Sequence, residues 1–327
     1  MKHINRRRGA VLLLALLMVL GLLGGCASGS QTEVSVFTLK GPTGMGMVQL
    51  MQNAGDGKTD GNYKFELCGA PTEIVAAISS GEADIAACPV NLAATLYNKT
   101  NGNVSVLAVN TMGVMYVMDA TGTVKSLADL KGKTVYTSGK GSTPQYIVER
   151  LLRANGVDPA ADVELVYLGE HSEVVAQAAA GKADIVILPE PNVTVLQSKD
   201  SRFAVALDLT AEWNKVEDFE LIQGCIIVRT DFLNENRDAV DQFLSEYEKS
   251  VDFVTGNPAE ASALIEKYGI VASAAIAEKA LPRCNIVFKD GSEMQRLTEG
   301  NLKVLFDADP TSVGGKLPGE GFYYSGK

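Results

Sequence analysis

The side chains able to do chemistry are few and sit in short loops. His3 and His171 are the two histidines among 327 residues. With His3 in the N-terminal leader described below, a two-histidine metal site has no second ligand. A Ser-His-Asp triad must then be built on His171 alone. The chain contains no GxSxG, HExxH or P-loop pattern. Its five cysteines, Cys26, Cys68, Cys88, Cys225 and Cys284, form no CxxC pair, and a zinc site does not fit these spacings. The last four either pair, in one of three connectivities, or serve as small buried apolar residues, which is the preferred reading. What remains is hydrogen-bonding chemistry. It lies in "GPTGM" (41–45), "CPVN" (88–91), "TSGKGST" (137–143), "GEH" (169–171) and "PEPN" (189–192). Such groups hold a ligand; they do not break its bonds.

These segments recur at an offset of one hundred. "SGEADIAACPVN" (80–91) is answered by "AGKADIVILPEPN" (180–192). "APTEIVAAISSGEADI" (70–85) is answered by "EHSEVVAQAAAGKADI" (170–185), and "LKGPTG" (39–44) by "GKGSTP" (139–144). Each half therefore carries one run of elements. Strands are expected at 34–39, 63–68 and 83–88, with helices at 45–54 and 72–81. Their counterparts are strands at 134–138, 163–168 and 183–188, with helices at 144–156 and 172–181. Alternating strands and helices predict an α/β fold of two lobes, each a mostly parallel sheet flanked by helices. Ligands of such sheets bind outside the carboxyl ends of the strands. Six loops leave those ends: 40–45, 69–71 and 88–92, then 138–143, 169–171 and 188–192. Two lobes with three loops each grip one molecule from two sides.

The predicted organisation is a leader over 1–25, a tether over 26–33, lobe 1 over 34–112, lobe 2 over 113–222 and a return to lobe 1 over 223–327. "GVMYVMDA" (113–120) and "LIQGCIIVRTDFL" (221–233) are the two hinge crossings. Helices are expected at 234–254, 258–269, 272–281 and 290–308, and the last three carry no echo, so they are expected to pack on lobe 1. The leader joins Lys2, Arg6, Arg7 and Arg8 to an apolar run ending in "LGGC" (23–26). That is the charge order of a secretory signal, and the ending resembles the bacterial lipobox, which makes Cys26 the expected lipidation site. The rival reading is a membrane anchor, for which the run is short. Without the leader's four cations, 25 basic residues face 39 acidic ones, a net charge of −14. That surface repels nucleic acid and anionic lipid, so neither is an expected partner beyond the lipid anchor itself.

With "LGGC", "GPTG", "SGEADIAACPVN", "SLADLKGKTVYTSGKGSTPQYIV" (126–148) and "AGKADIVILPEPN" in hand, the chain resembles the substrate-binding lipoproteins of bacterial ABC importers. Within them it is similar to the nitrate, sulfonate, taurine and thiamine-precursor-binding group. The likeness runs over about residues 34–320. It implies a type II periplasmic-binding-protein fold, a monomer anchored outside the cytoplasm, closure about a hinge, and delivery to a permease driven by an ATPase subunit. No cofactor and no metal are implied. The competing class is an enzyme on the same bilobal fold, resembling the pyrimidine-precursor synthase that consumes its own histidine or porphobilinogen deaminase. A third is a ligand sensor without transport.

The expected ligand contacts are Thr43, Gly44, Met45, Asn91, Tyr116, Ser138, Gly139, Gly141, Ser142, Thr143, His171, Glu190 and Asn192. The glycines let backbone N–H groups approach a ligand, and the helix after Thr143 aims its N-terminus at the cleft. Their plain alternatives are turns and helix caps. Met45 is an apolar wall or core packing, and Tyr116 a stacking face or hinge brace. Asp84 and Asp184 are read as strand-start residues that bind backbone N–H groups, not as a catalytic pair. Lys40 and Lys140 are the loops' only cations, and Glu190 would repel an anion if it pointed inward. With Met45 and Tyr116 this tilts the expected ligand toward a heteroaromatic ring of the thiamine-pyrimidine kind over a simple anion.

Overall fold

The computed structural model describes residues 32–326. The leader, Cys26 and most of the tether lie outside the described residues. The first strands are β1 (Glu33–Leu39), β2 (Asn62–Cys68), β3 (Ile85–Pro89) and β4 (Val104–Met112). The chain then forms β5 (Met115–Asp119), β6 (Thr134–Ser138), β7 (Glu164–Leu168), β8 (Ile185–Pro189) and β9 (Ala204–Asp208), and returns as β10 (Ile222–Arg229) and β11 (Ile286–Lys289). One sheet has the order β11-β4-β10-β3-β1-β2 and the other β7-β6-β8-β5-β9. The α/β class and the two sheets match the expectation. The sheets are mixed, however, and not mostly parallel. β1 runs parallel to β2 and β3, and β6 to β7 and β8. Every pairing of β10, β11 and β5 is antiparallel. These strands belong to the hinge crossings and the return, outside the echoed strand–helix–strand runs, and they enter the sheets in the opposite direction.

Residue choice explains the layers. All nine residues of β4, "VSVLAVNTM", are buried, as a central strand covered on both faces requires. β2, "NYKFELC", alternates half-buried and exposed positions, as an edge strand should. The first sheet lies between two apolar clusters. One contains Val36, Met45, Met47, Phe243 and Tyr247; the other contains Ile74, Ala93, Val106, Leu297 and Leu302. The helices Pro258–Lys267 and Ala274–Ala280 join the first cluster through Ala261, Ile265, Ala277 and Ala280. Helix Gly291–Ala308 joins the second through Met294, Leu297, Leu302 and Leu305. The second sheet is likewise covered on one face around Val148, Leu151 and Trp213, and on the other around Val174, Val186 and Phe203. Cys68, Cys88, Cys225 and Cys284 are buried and unpaired. Among the described residues no helix is long and apolar enough to cross a membrane.

The strand-start aspartates part company. Asp84 accepts from the Ser35 N–H at 2.9 Å and pairs with Arg229 at 2.9 Å. Asp184 is exposed and makes no comparable backbone bond. Arg229 belongs to β10, which lies beside β3; the strand beside β8 in the second sheet is β5, which supplies no cation. The echo therefore preserves the letter but not the interaction.

Gly44 is the tightest backbone position near the first loop. A Cβ there would stand 2.3 Å from the Leu39 carbonyl oxygen, which is backbone and cannot swing aside. Gly44→Ala is expected to lower stability in urea by at least about 2 kcal/mol through overpacking. Gly256→Ala is the control, because nothing lies within 4 Å of a Cβ there. It should be neutral or stabilise by up to about 1 kcal/mol at a helical position. Equal unfolding midpoints for the two variants would refute the steric account.

Candidate functional site

The first loop is fixed from below by polar groups. Gly41, with φ +98°, precedes the short helix Pro42–Met45, a backbone region open only to glycine. Its carbonyl accepts from the N–H groups of Gly44 at 3.0 Å and Met45 at 3.1 Å. The Thr43 carbonyl accepts from Asn110 Nδ2 at 3.1 Å and Thr38 Oγ1 at 3.5 Å. Thr38 and Asn110 are fully buried. Sequence reasoning passed over Asn110, whose signal is present: "NT" interrupts the apolar run near the end of a buried strand. The expected backbone donor of Gly44 is thus already committed, as is the N–H of Met45. The Met45 side chain is fully buried in the core cluster, so it offers no wall to a ligand.

Asn91 sits in the first turn of helix Val90–Lys99 and is largely buried. Its Nδ2 donates to the Ser312 carbonyl at 3.3 Å, and its Oδ1 accepts from Thr143 Oγ1 at 2.8 Å. Thr143 opens helix Thr143–Ala154 after β6. Loops of the two sheets thus touch. Beside them Tyr146 Oη donates to Asp309 Oδ2 at 3.2 Å. Ser142 is the residue before that helix, but its hydroxyl turns back to the Gly139 carbonyl at 2.6 Å and caps no N–H. Gly139 and Gly141 have φ of +80° and +77°. The exposed Gly141 gives its N–H to Gln145 Oε1 at 2.7 Å. That donor is taken up by a side chain of the helix that follows.

Ser138, 2% exposed, ends β6. Its Oγ bonds Nδ1 of His171, the first residue of helix His171–Ala179. Burial pushes the imidazole down to about 4, opposed only by the neighbouring Glu170. The ring is therefore neutral at physiological pH. Asn192 opens helix Asn192–Lys199 and is half-buried.

Glu190 and Tyr116 differ most from expectation. Glu190 is fully buried. Arg283 Nε donates to its Oε1 at 2.6 Å and Nη2 lies 2.5 Å from the same oxygen. Thr194 supplies its N–H and hydroxyl, each at 3.1 Å. A carboxylate with these partners is neutralised and repels no anion. Arg283 comes from the C-terminal return, far from the six loops in sequence, so no loop motif could reveal it. The Tyr116 hydroxyl donates to the Arg283 carbonyl at 3.2 Å, and its ring lies in the second sheet's core. Burial raises its phenol above the ordinary value. Tyr116 is a brace between the sheets and not a stacking face. Lys40 and Lys140 are exposed. Of the grounds for a heteroaromatic ligand, Met45, Tyr116 and an unpaired Glu190 are therefore gone, while the loop prolines and the absence of arginine from the loops remain.

What the loops present is two uncharged pairs, Asn91 with Thr143 and Ser138 with His171. A cavity of about 400 Å³ beside Arg283 is lined by Thr194, Gln197, Ser198 and Lys279. Another, of about 490 Å³, lies away from the loops near the hinge, against Met112, Thr210, Leu281 and Asn285. Among the described residues no acidic, histidine and cysteine side chains cluster to hold a metal.

A family model described as NMT1/THI5 like matches residues 67–261. YtlA of Bacillus subtilis, named as a binding protein, is 25% identical over 131 residues, 40% of this chain and 37% of that protein. A Brucella abortus protein, also named as a binding protein, is 24% identical over 173 residues, 53% of this chain and 52% of its own length. The chain thus spans about half or less of the curated relatives it matches. An ABC transporter structure from Parabacteroides distasonis superposes with a TM-score of 0.78 at 23% identity, covering 91% of this chain and all of that one. The periplasmic aliphatic sulphonate binding protein SsuA of Escherichia coli gives 0.74 at 15% identity, covering 91% and 94%. These likenesses establish the bilobal periplasmic-binding-protein fold.

Two predictions follow from the ionisable groups. Arg283→Met leaves Glu190 a buried charge without its cation and should destabilise the protein by about 3 kcal/mol in urea. Glu190→Gln keeps acceptors for Arg283 and should cost less, and the double variant should cost less than the sum of the singles. Strict additivity would show that the pair does not interact. His171 works in the other direction from a salt bridge. Its folded value lies below its ordinary 6.5, so between about 6.5 and 4 the unfolded chain binds a proton that the folded chain refuses. Stability should fall as pH drops through that window. Urea midpoints at pH 7 and 4.5 should show the parent losing about 1–2 kcal/mol more than His171→Gln. Parallel losses would mean that the ring is protonated in the folded state.

Proposed function

This chain belongs to the NMT1/THI5-like family, and on that premise we propose that it is the extracytoplasmic substrate-binding lipoprotein of an ABC importer. Residues 34–112 and 223–327 form one lobe and 113–222 the other. Cys26 carries the lipid. A small molecule enters between the six loops, the lobes close on it about the 113–120 and 221–233 crossings, and the closed form presents it to a permease. The observation that carries this reading is the Thr143–Asn91 bond at 2.8 Å, which joins a loop of one sheet to a loop of the other. Names among the relatives and structural neighbours, binding proteins and a sulphonate binding protein, support it.

The bound molecule is small, polar and rich in hydrogen-bond acceptors. The loops' two lysines are exposed and Arg283 is paired with Glu190, so affinity comes from neutral hydroxyl, amide and ring N–H donors. A sulfonate or nitrate fits this better than a stacked ring. Ser138 and His171 form a hydroxyl–imidazole pair, but that does not favour an enzyme. A nucleophile of this type needs an acid that orients the ring, and the adjacent carboxylate, Glu170, accepts from Ser172 at 3.0 Å.

A thermal-shift screen of nitrate, alkanesulfonates, amino-acid-like solutes and pyrimidines is the first test, because binding to the folded state must raise the midpoint. The confirmed solute should bind with one-to-one stoichiometry by calorimetry. Thr143→Val removes a hydroxyl in the loop contact and should weaken it at least about tenfold, or 1.4 kcal/mol. A solute that binds the parent, Thr143→Val and an Asn91→Ala, Thr143→Val double variant equally well would place the site elsewhere and defeat this reading.

A further inference from the structure

We propose that His171 serves the cleft as an uncharged hydrogen-bond donor, with Ser138 on Nδ1 holding the proton on Nε2, so that the ligand sets an acceptor oxygen against lobe 2. This rests on the importer reading above and adds to it a named donor and a ligand class. Ser138 Oγ lies almost wholly inside the protein and has His171 Nδ1 as its one hydrogen-bond partner among the described residues. Two arrangements are possible. If Nδ1–H donated to Oγ, the hydroxyl proton would have no acceptor and would be buried unsatisfied. If Oγ–H donates to Nδ1, both atoms are satisfied by the one contact. The second arrangement requires an unprotonated Nδ1, and a neutral imidazole of that kind carries its proton on Nε2. Burial of the ring keeps it neutral.

The placement gives that proton a use. Ser138 ends β6, and His171 follows the end of β7, its parallel neighbour. The loop after Ser138 is the one whose Thr143 reaches Asn91 of the other sheet. Nε2 has no partner among the described residues. A neutral ring N–H attracts sulfonyl, nitro or carboxylate oxygens and offers nothing to a ligand that can only donate. Ser138 is a positioning residue in this arrangement; His171 is the contact.

The test uses 15N-labelled full-length protein at pH 7. The chain has two histidines, and comparison with His171→Asn assigns the resonances of His171. Long-range proton–nitrogen correlations should show the Nε2–H tautomer in the parent and a mixture in Ser138→Ala. The Nδ1–H tautomer in the parent would overturn the proposal. Nitrate, methanesulfonate and acetate are then titrated as probes. At least one should move the Nε2–H resonance, and if none does the acceptor ligand is refuted, while the importer reading stands or falls on its own screen. For the probe that binds, His171→Gln, whose amide can replace the Nε2–H, should stay within about threefold of the parent. His171→Phe should lose at least tenfold. Equal affinity in the Gln and Phe variants would remove His171 from the site even though the lobes still bind.

Discussion

A carboxylate with no access to water needs a cation, and in this protein the cation comes from the other sheet. Glu190 closes β8 in the second sheet; Arg283 lies between helix Ala274–Ala280 and β11 of the first. The desolvation of Glu190 is tolerable only with Arg283 and Thr194 in place. The same short segment holds the hinge in two further ways. The Arg283 carbonyl takes the Tyr116 hydroxyl, and Asn285 Nδ2 donates to the Gly113 carbonyl at 2.5 Å. Residues 283–285 therefore grip β5, β8 and the crossing between β4 and β5. Whatever separates the lobes must either break the buried pair or pivot around it. The second course costs less, because an unpaired buried charge costs several kcal/mol while a rotation at the crossings costs little.

That anchor lies toward one flank of the loops. The other flank is held by weaker bonds, Thr143 to Asn91 and Tyr146 to Asp309. Neutral hydrogen bonds are worth about 1 kcal/mol each, so this side opens more readily. On the importer reading proposed above, this asymmetry would let the lobes part at the loops and pivot near Arg283, and a ligand bridging Asn91, Thr143 and the Ser138–His171 pair would strengthen the weaker side.

Much of this was legible in the sequence, and the misses have physical causes. The hundred-residue echo located both sheets and the loops at their strand ends, because periodicity and turn residues are local properties. The long unechoed helices of the return were also legible as packing on the first sheet. β9, β11 and the helices Val90–Lys99 and Asn192–Lys199 were not read out. The two helices begin within three residues of a strand's end, with no polar gap to mark the change of period. Antiparallel pairing was missed because strand direction depends on how a segment returns, and an apolar run does not carry it. Arg283 could not be found at all. It is paired with a residue 93 positions away in a stretch with no counterpart in the first half. Met45 was wrongly given to the ligand because methionine serves cores and binding walls alike, and only its neighbours distinguish the two.

The echo's divergence shows what duplication does and does not conserve. Lys-Gly-x-Thr occurs at 40–43 and again at 140–143. In the first copy the glycine precedes a helix that begins at once, and the threonine contributes its carbonyl to Asn110 and Thr38 beneath it. In the second the helix begins at the threonine itself, whose hydroxyl reaches across to Asn91. One threonine stabilises its own lobe and the other joins the two. Asp84 and Asp184 divide in the same sense, one held by Arg229 and the other turned to solvent. The shared letters mark a common turn at a common place in the sheet. The copies separate at the side chain's partner, and three of those partners, Arg229, Arg283 and Asp309, come from the C-terminal return, which follows the second copy. That return therefore makes two similar lobes unequal.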